Sequence, residues 1–332
     1  MRELALAAGA GWEHAGDAAE RIVTVGTFDG VHRGHVDVLE RLVARARAIG
    51  CPSLLVSFDP HPLQLLNPDA APRLLTTRRE KLAELEATGL DEVAILPFDR
   101  ALAGLSADDF VDRILRTRFG MRELLIGHDH GFGKGREGGV ATLRELGASR
   151  GFHVDVVAPV CTSNGEPVSS SRIRRAVEAG ALDQAAEALG RPYAATGVVG
   201  RGDARGRSLG YPTLNVALES SRKLLPADGV YAVCVRTSRG EFGGMLNLGG
   251  RPTFGDDDRS LEAHLFDVAG DFYGDLAQVR FVSRLRDTRK FDGPEALVAQ
   301  LAADERDARR ALTPSGEPGN LKGSMPFPPS TP

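Results

Sequence analysis

Two histidines three residues apart, His32 and His35, flank Gly34 in the run Val23-Thr-Val-Gly26-Thr-Phe28-Asp-Gly-Val-His32-Arg-Gly-His35. The pattern predicts a strand ending at Gly26, a turn, and a helix that both imidazoles enter on one face. Helix starts expose unpaired N–H groups that favour anions, and Gly34 lets a ligand approach the backbone. Two imidazole donors in that place suit phosphates better than a general-base pair. Taken singly, either histidine reads equally as a helix cap or a surface residue. A second anion cradle is suggested by Pro167-Val-Ser-Ser170-Ser171-Arg-Ile-Arg174, where serines open a helix and Arg174 could hold a phosphate bidentately. N-capping alone accounts for one of these serines. Between the two lies Ile126-Gly-His-Asp129-His-Gly-Phe-Gly133-Lys-Gly-Arg-Glu-Gly138, a glycine-rich loop at a strand end. It fits neither the Walker A nor the dinucleotide pattern, and a surface loop is its alternative.

A second set of chemistry-bearing residues follows. A loop rich in glycine and arginine, containing Gly206 and Gly210, leads into Pro212-Thr213-Leu214-Asn215. Its amides could face phosphate oxygens. Thr213 and Asn215 alternate with Leu214, so an extended chain turns their hydroxyl and amide oxygens to one side, where they could help ligate Mg²⁺. In Leu261-Glu262-Ala-His264-Leu-Phe266-Asp267, Glu262 and His264 share a face expected to point inward, because Phe266 is the next alternate residue. A carboxylate among apolar neighbours costs free energy and needs a reason. The alternative is a solvated outer strand face.

The elements that must hold these residues change character along the chain. Residues 22–25, 54–58, 93–96, 124–126 and 154–157 read as strands. They alternate with helices over 34–49, 78–88, 106–118 and 139–149, and helices from Ser170 and Ala181 follow. Such alternation predicts a parallel sheet covered on both faces, with ligands at the carboxyl ends of its strands. After Arg191-Pro192, strands at 230–235, 241–248, 261–268 and 278–281, then a helix over 294–310, predict a small antiparallel barrel. The boundary is expected near 192, giving domains 1–192 and 193–312, with a disordered Pro-, Gly- and Ser-rich tail over 313–332.

Composition agrees with two ordinary globular domains: 332 residues, 42% hydrophobic and 26% charged. A net charge of −4 and no long basic run argue against nucleic acid as a partner. No run of 18 apolar residues suggests a membrane span. The three cysteines form no C-x-x-C pair, so neither a disulfide framework nor a cysteine zinc site is indicated. A cytoplasmic chain is expected, and its oligomeric state is left open.

Together T-F-D-G-V-H-x-G-H, Ser57-Phe-Asp-Pro-His-Pro62, the G-F-G loop and S-S-S-x-I-R resemble the adenylyltransferase half of bacterial FAD synthetases. That half belongs to the Rossmann-like nucleotidyltransferases of H-x-G-H type. The resemblance implies attack of FMN phosphate on the α-phosphate of ATP, releasing pyrophosphate, with Mg²⁺ present. It implies that His32 and His35 donate to the phosphates and that Ser170, Ser171 and Arg174 hold the β- and γ-phosphates. It adds Gly26, Phe28 and Asp129 to the binding set. Ser171 stands where threonine is commoner, and His130-Gly131 where Phe-Arg is commoner. In the second half, G-x-x-x-G-R-x-L-G-x-P-T-x-N, N-L-G-x-R-P-T-F and E-x-H-L-F-D resemble the riboflavin kinase module, over residues 194–310. There Glu262 is implied as the base for the riboflavin 5′-hydroxyl. Thr213 and Asn215 are implied to position Mg²⁺ and phosphates, Gly206 and Gly210 to form the nucleotide loop, and Arg286 to contact the flavin. Leu214 replaces the usual alanine. The expected protein is therefore a bifunctional enzyme acting on riboflavin, FMN and ATP. Kinase activity alone, with another nucleotidyl acceptor in the first half, and a flavin- or nucleotide-binding regulator that has lost catalysis are the alternatives.

Overall fold

The computed structural model describes residues 1–4, 19–128, 131–201, 206, 209–250 and 259–313. By contacts it divides into two compact units: 1–72 with 81–169, and 73–80 with 170 onward.

The first unit is built on six parallel strands: β1 (Arg2–Glu3), β2 (Arg21–Val25), β3 (Ser53–Asp59), β4 (Glu92–Pro97), β5 (Met121–Gly127) and β6 (His153–Val157). Their order in the sheet is β1-β4-β3-β2-β5-β6. The strands read as near-continuous Val, Leu and Ile runs because a parallel sheet is buried on both faces. Alternate residues feed two cores: Val23, Leu54 and Leu124 one, Ile22, Leu55 and Leu125 the other. Helix α1 (Arg33–Ile49) buries Val38, Leu39, Leu42, Val43 and Ala46, the stripe expected of a helix lying on a sheet. It stops where Gly50 turns left-handed at φ 82°. Its Arg45 makes a two-pronged bond to Glu123 of β5, 2.7 Å on each side, which fastens helix to sheet. Helix α2 (Arg78–Glu86) and helix α3 (Val140–Arg150) follow the expected positions. The helix expected over 106–118 is instead a short α-turn at Ala107–Asp109 running into a π-helical stretch, Phe110–Arg118. Strand β1 is an edge that the sequence pattern did not announce.

The second unit is a closed antiparallel barrel. Its strands are β7 (Ala194–Gly200), β8 (Leu214–Leu218), β9 (Gly229–Thr237), β10 (Gly240–Gly250), β11 (Arg259–Leu265) and β12 (Leu276–Arg286). They run around it as β8-β11-β10-β9-β12-β7. Helices α4 (Ser170–Glu178) and α5 (Leu182–Leu189) belong to this unit, so the contact division falls before α4, ahead of residue 192. The closing helix α6 (Pro294–Leu312) packs outside the barrel, where Ala308 joins Ala232, Met245 and Phe266. The strand expected to reach 268 ends at Leu265. There Asp267 turns left-handed at φ 57°, its carboxylate gripped by both Arg309 amino groups at 2.7 and 2.9 Å. The tail expected over 313–332 lies, beyond Thr313, outside the described residues.

Candidate active sites

Strand β2 hands the chain to a tight turn in which Phe28 (φ 46°) and Val31 (φ 38°) both adopt left-handed backbone. For a β-branched residue that is a costly conformation, and such residues cluster at functional sites. The turn is held from below. The Thr27 carbonyl accepts from Lys81 Nζ at 2.8 Å and from Ser57 Oγ at 3.2 Å. His32 does not enter the helix as expected. It is the N-cap, and its Nδ1 accepts the His35 N–H at 3.3 Å. The capping reading therefore holds for His32 without displacing the chemical one. An Nδ1 that accepts places the proton of the neutral ring on Nε2, which remains a donor. The His32 and His35 rings stack with centroids 3.6 Å apart and 14° between planes, and Phe28 covers His35 at 4.5 Å. Gly26 leaves the space that the Phe28 ring fills. A Cβ on Gly34 would lie 3.9 Å from the Val168 carbonyl oxygen, so the segment entering Ser169 passes beside the histidine turn.

The glycine-rich loop is a built hairpin, Gly131–Phe132 against Gly138–Gly139. Phe132 is buried against Phe110, and Glu137 accepts the Ala107 N–H at 3.0 Å. Asp129 and His130 lie outside the described residues. Ser170, half-buried, opens α4, and Ser171 beside it is exposed. Arg174 uses its Nε on the Arg73 carbonyl at 2.9 Å, a bond within the second unit.

In the barrel, strand register brings together residues far apart in sequence. Asn215 on β8 is directly opposite Glu262 on β11, and Glu262 is directly opposite Asn247 on β10. Cross-strand partners have Cβ atoms about 5 Å apart on one face, so an amide, a carboxylate and a second amide form a row. That face is not the barrel interior: Leu261, Ala263 and Leu265 fill the inside, which turns Glu262 and His264 outward. The inward expectation is corrected here. Glu262 is half-buried on the outer wall, with Ser260 Oγ 3.3 Å from its Oε1. Thr213 comes one residue before the β8 ladder. Gly206 makes the loop possible, since a Cβ there would lie 2.2 Å from the Tyr211 carbonyl oxygen, and Gly210 sits at φ 83°. Arg286 is occupied by a fork to the buried Asp304 of α6, at 2.8 and 2.6 Å, and by the Asp287 carbonyl. Thr213, Asn215 and Glu262 offer only oxygens, which fits a hard divalent cation that keeps most of its shell as water and phosphate. Among the described residues no three His, Cys, Asp or Glu side chains gather into a metal cluster.

Residues 15–172 match the family model for FAD synthetase and residues 189–312 that for riboflavin kinase. A bifunctional riboflavin kinase/FMN adenylyltransferase of Pseudomonas fluorescens is 40% identical over 304 residues, covering 91% of this chain and 95% of the relative. The chain belongs to this bifunctional family. The Escherichia coli K12 member is 40% identical over 290 residues, covering 87% of this chain and 91% of its own. A crystal structure described as a macrolide-efflux protein from Streptococcus pneumoniae shares the fold, with TM-score 0.80 at 31% identity over 90% of this chain and 96% of that one. Among the described residues no helix of this family member is long and apolar enough to cross a membrane. Both catalytic modules of FMN and FAD biosynthesis are thus present in one chain. Lys81 gave no chemical signal in the sequence, and Asn247 entered only as the first residue of the N-L-G-x-R-P-T-F motif, with no role. A lysine on a polar helix reads as solvated, and the Asn247 position opposite Glu262 depends on register between strands.

Proposed function

We propose that the barrel half transfers the γ-phosphate of ATP to riboflavin and that the first half transfers the adenylyl group of a second ATP to the resulting FMN. The row Asn215–Glu262–Asn247 carries this reading for the kinase step. Glu262 accepts the proton of the riboflavin 5′-hydroxyl as that oxygen attacks the γ-phosphorus and ADP departs. Thr213 and Asn215 face the phosphates, and Gly206 and Gly210 shape the loop over them. A divalent metal, which we take to be Mg²⁺, neutralises phosphate charge when bound there. Phosphoryl transfer depends mostly on position and charge, so a sparse set suffices. In the first half the FMN phosphate attacks the α-phosphorus and pyrophosphate leaves. His32 Nε2–H and His35 stabilise the charge that builds on the phosphate oxygens, with Ser170, Ser171 and Arg174 holding the departing end. Gly26, Phe28 and Asp129 complete the binding set. Arg286, locked to Asp304, orients the wall of the flavin end. The functional boundary we propose is residue 192, between modules 1–192 and 193–312, in a chain working in the cytoplasm.

Purified protein with riboflavin, ATP and Mg²⁺, its flavins followed by chromatography, tests both steps in one run. FMN should appear first and FAD after it. FMN without FAD would leave the first half without its proposed acceptor. No FMN would remove Glu262 as base.

A further inference from the structure

Beside Glu262 on the outer wall of the barrel stands a titratable side chain for which the proposed chemistry has no use. His264 stands two residues beyond Glu262 on the same face of β11. Its Nδ1 lies 2.8 Å from the Pro212 carbonyl oxygen. A carbonyl only accepts, so Nδ1 must carry the proton and donate, which fixes the tautomer and the ring plane. The ring is wedged edge-on between Tyr211 (centroids 5.1 Å) and Phe266 (6.0 Å). Tyr211 in turn donates its N–H to the Gly206 carbonyl at 2.9 Å, and Gly206 lies so close to Tyr211 that no side chain fits. The held residue, Pro212, is covalently followed by Thr213, which comes before the first paired residue of the β8 ladder, Leu214.

We propose that His264 is the positioning residue that sets the Tyr211–Pro212 segment, and so the Thr213 hydroxyl, against the Asn215–Glu262 row. β11 then contributes both parts at once: Glu262 at the reacting hydroxyl, and His264 at the turn carrying the opposing oxygen ligand. One rigid strand spaces the two, which holds a site more closely than a free loop does. This role rests on the kinase assignment of the barrel. The bond itself is ordinary in strength, but a displacement of about 1 Å in a phosphoryl-transfer site can cost about 100-fold in rate.

Two substitutions in the full chain separate the bond from the ring. His264→Phe keeps the packing against Tyr211 and Phe266 and removes the donor. His264→Asn keeps a donor at similar reach and removes the ring. FMN formation by the phenylalanine variant should fall about 10- to 100-fold, with a higher Mg²⁺ concentration needed for half-maximal rate. The asparagine variant should recover most of both. FAD formation from supplied FMN, by the same samples, should match the wild type, which confines the effect to the kinase half. A phenylalanine variant with wild-type rate and Mg²⁺ dependence overturns the proposal. So does an asparagine variant as impaired as the phenylalanine one. If either variant also loses FAD formation, His264 is structural and the proposal fails. A wild-type chain that makes no FMN overturns the kinase assignment instead.

Discussion

At the scale of single residues, the two proposed sites call for different types of chemistry. His35 belongs to a stacked imidazole pair at a helix start, and the role proposed for it is charge stabilisation. His35→Ala should therefore slow FAD formation from supplied FMN by about 10²–10³-fold while riboflavin phosphorylation stays near wild type. Equal loss of both steps would merge what we treat as two independent sites. Glu262 is the proposed proton acceptor, and Glu262→Gln removes that capacity while keeping shape and packing. FMN formation should drop by about 10²–10⁴-fold, with FAD still made from supplied FMN. Normal phosphorylation by this variant would exclude Glu262 as the base. The outward direction of Glu262 makes it the better candidate: on the wall it can meet a substrate, whereas a carboxylate among Leu261, Ala263 and Leu265 could only be a cost.

At the scale of elements, the histidine turn is only as steady as the helix that follows it. Helix α1 is fastened through Arg45 to Glu123 on β5. The hydrogen bonds and charge of Arg45 hold the Glu123 carboxyl below the usual glutamate range, outweighing the opposite effect of burial. A carboxyl lowered in the folded state stabilises at pH above its unfolded value, about 4.3, and that stabilisation fades as pH falls through the lowered folded value. Denaturant unfolding of wild type and Glu123→Gln should therefore show a stability gap at neutral pH that narrows below about pH 4.3. A gap of constant size down to acid pH would mean that the pair contributes packing and not charge. Lys81 on α2 works in the same way on the turn itself, holding the Thr27 carbonyl beside two left-handed residues.

At the scale of the molecule, the second unit is assembled from discontinuous sequence. Residues 73–80 join the barrel through Glu80, whose carboxylate meets Lys223 Nζ at 2.8 Å with both side chains almost fully buried. The same carboxylate accepts the N–H groups of Thr77 (2.9 Å) and Thr196 (2.7 Å), while Lys223 also donates to the Leu75 carbonyl. Thr77 and Glu80 form a reciprocal capping box at the start of α2. Lys223→Met would leave a buried carboxylate without its counter-ion, at a cost of about 3–5 kcal/mol, and chemical denaturation should show the barrel losing that stability. A loss under about 1 kcal/mol would mean that the pair behaves like a surface one.

The amino-acid sequence by itself determined the fold class, the order of the two modules, and the residue types that carry chemistry. Those features are written in short-range spacing: alternation of two for strands, of three and four for helices, and glycine or proline at turns. Only the tertiary structure decided which distant residues meet. Asn215, Glu262 and Asn247 become a row through register. His264 reaches Pro212 across 52 positions, and Lys223 reaches Glu80 across 143. Alternation also leaves two choices of face, and it was barrel closure that sent Leu261 inward and Glu262 out. A pleat offers both sides equally, and which side becomes core depends on strands that lie elsewhere in the chain.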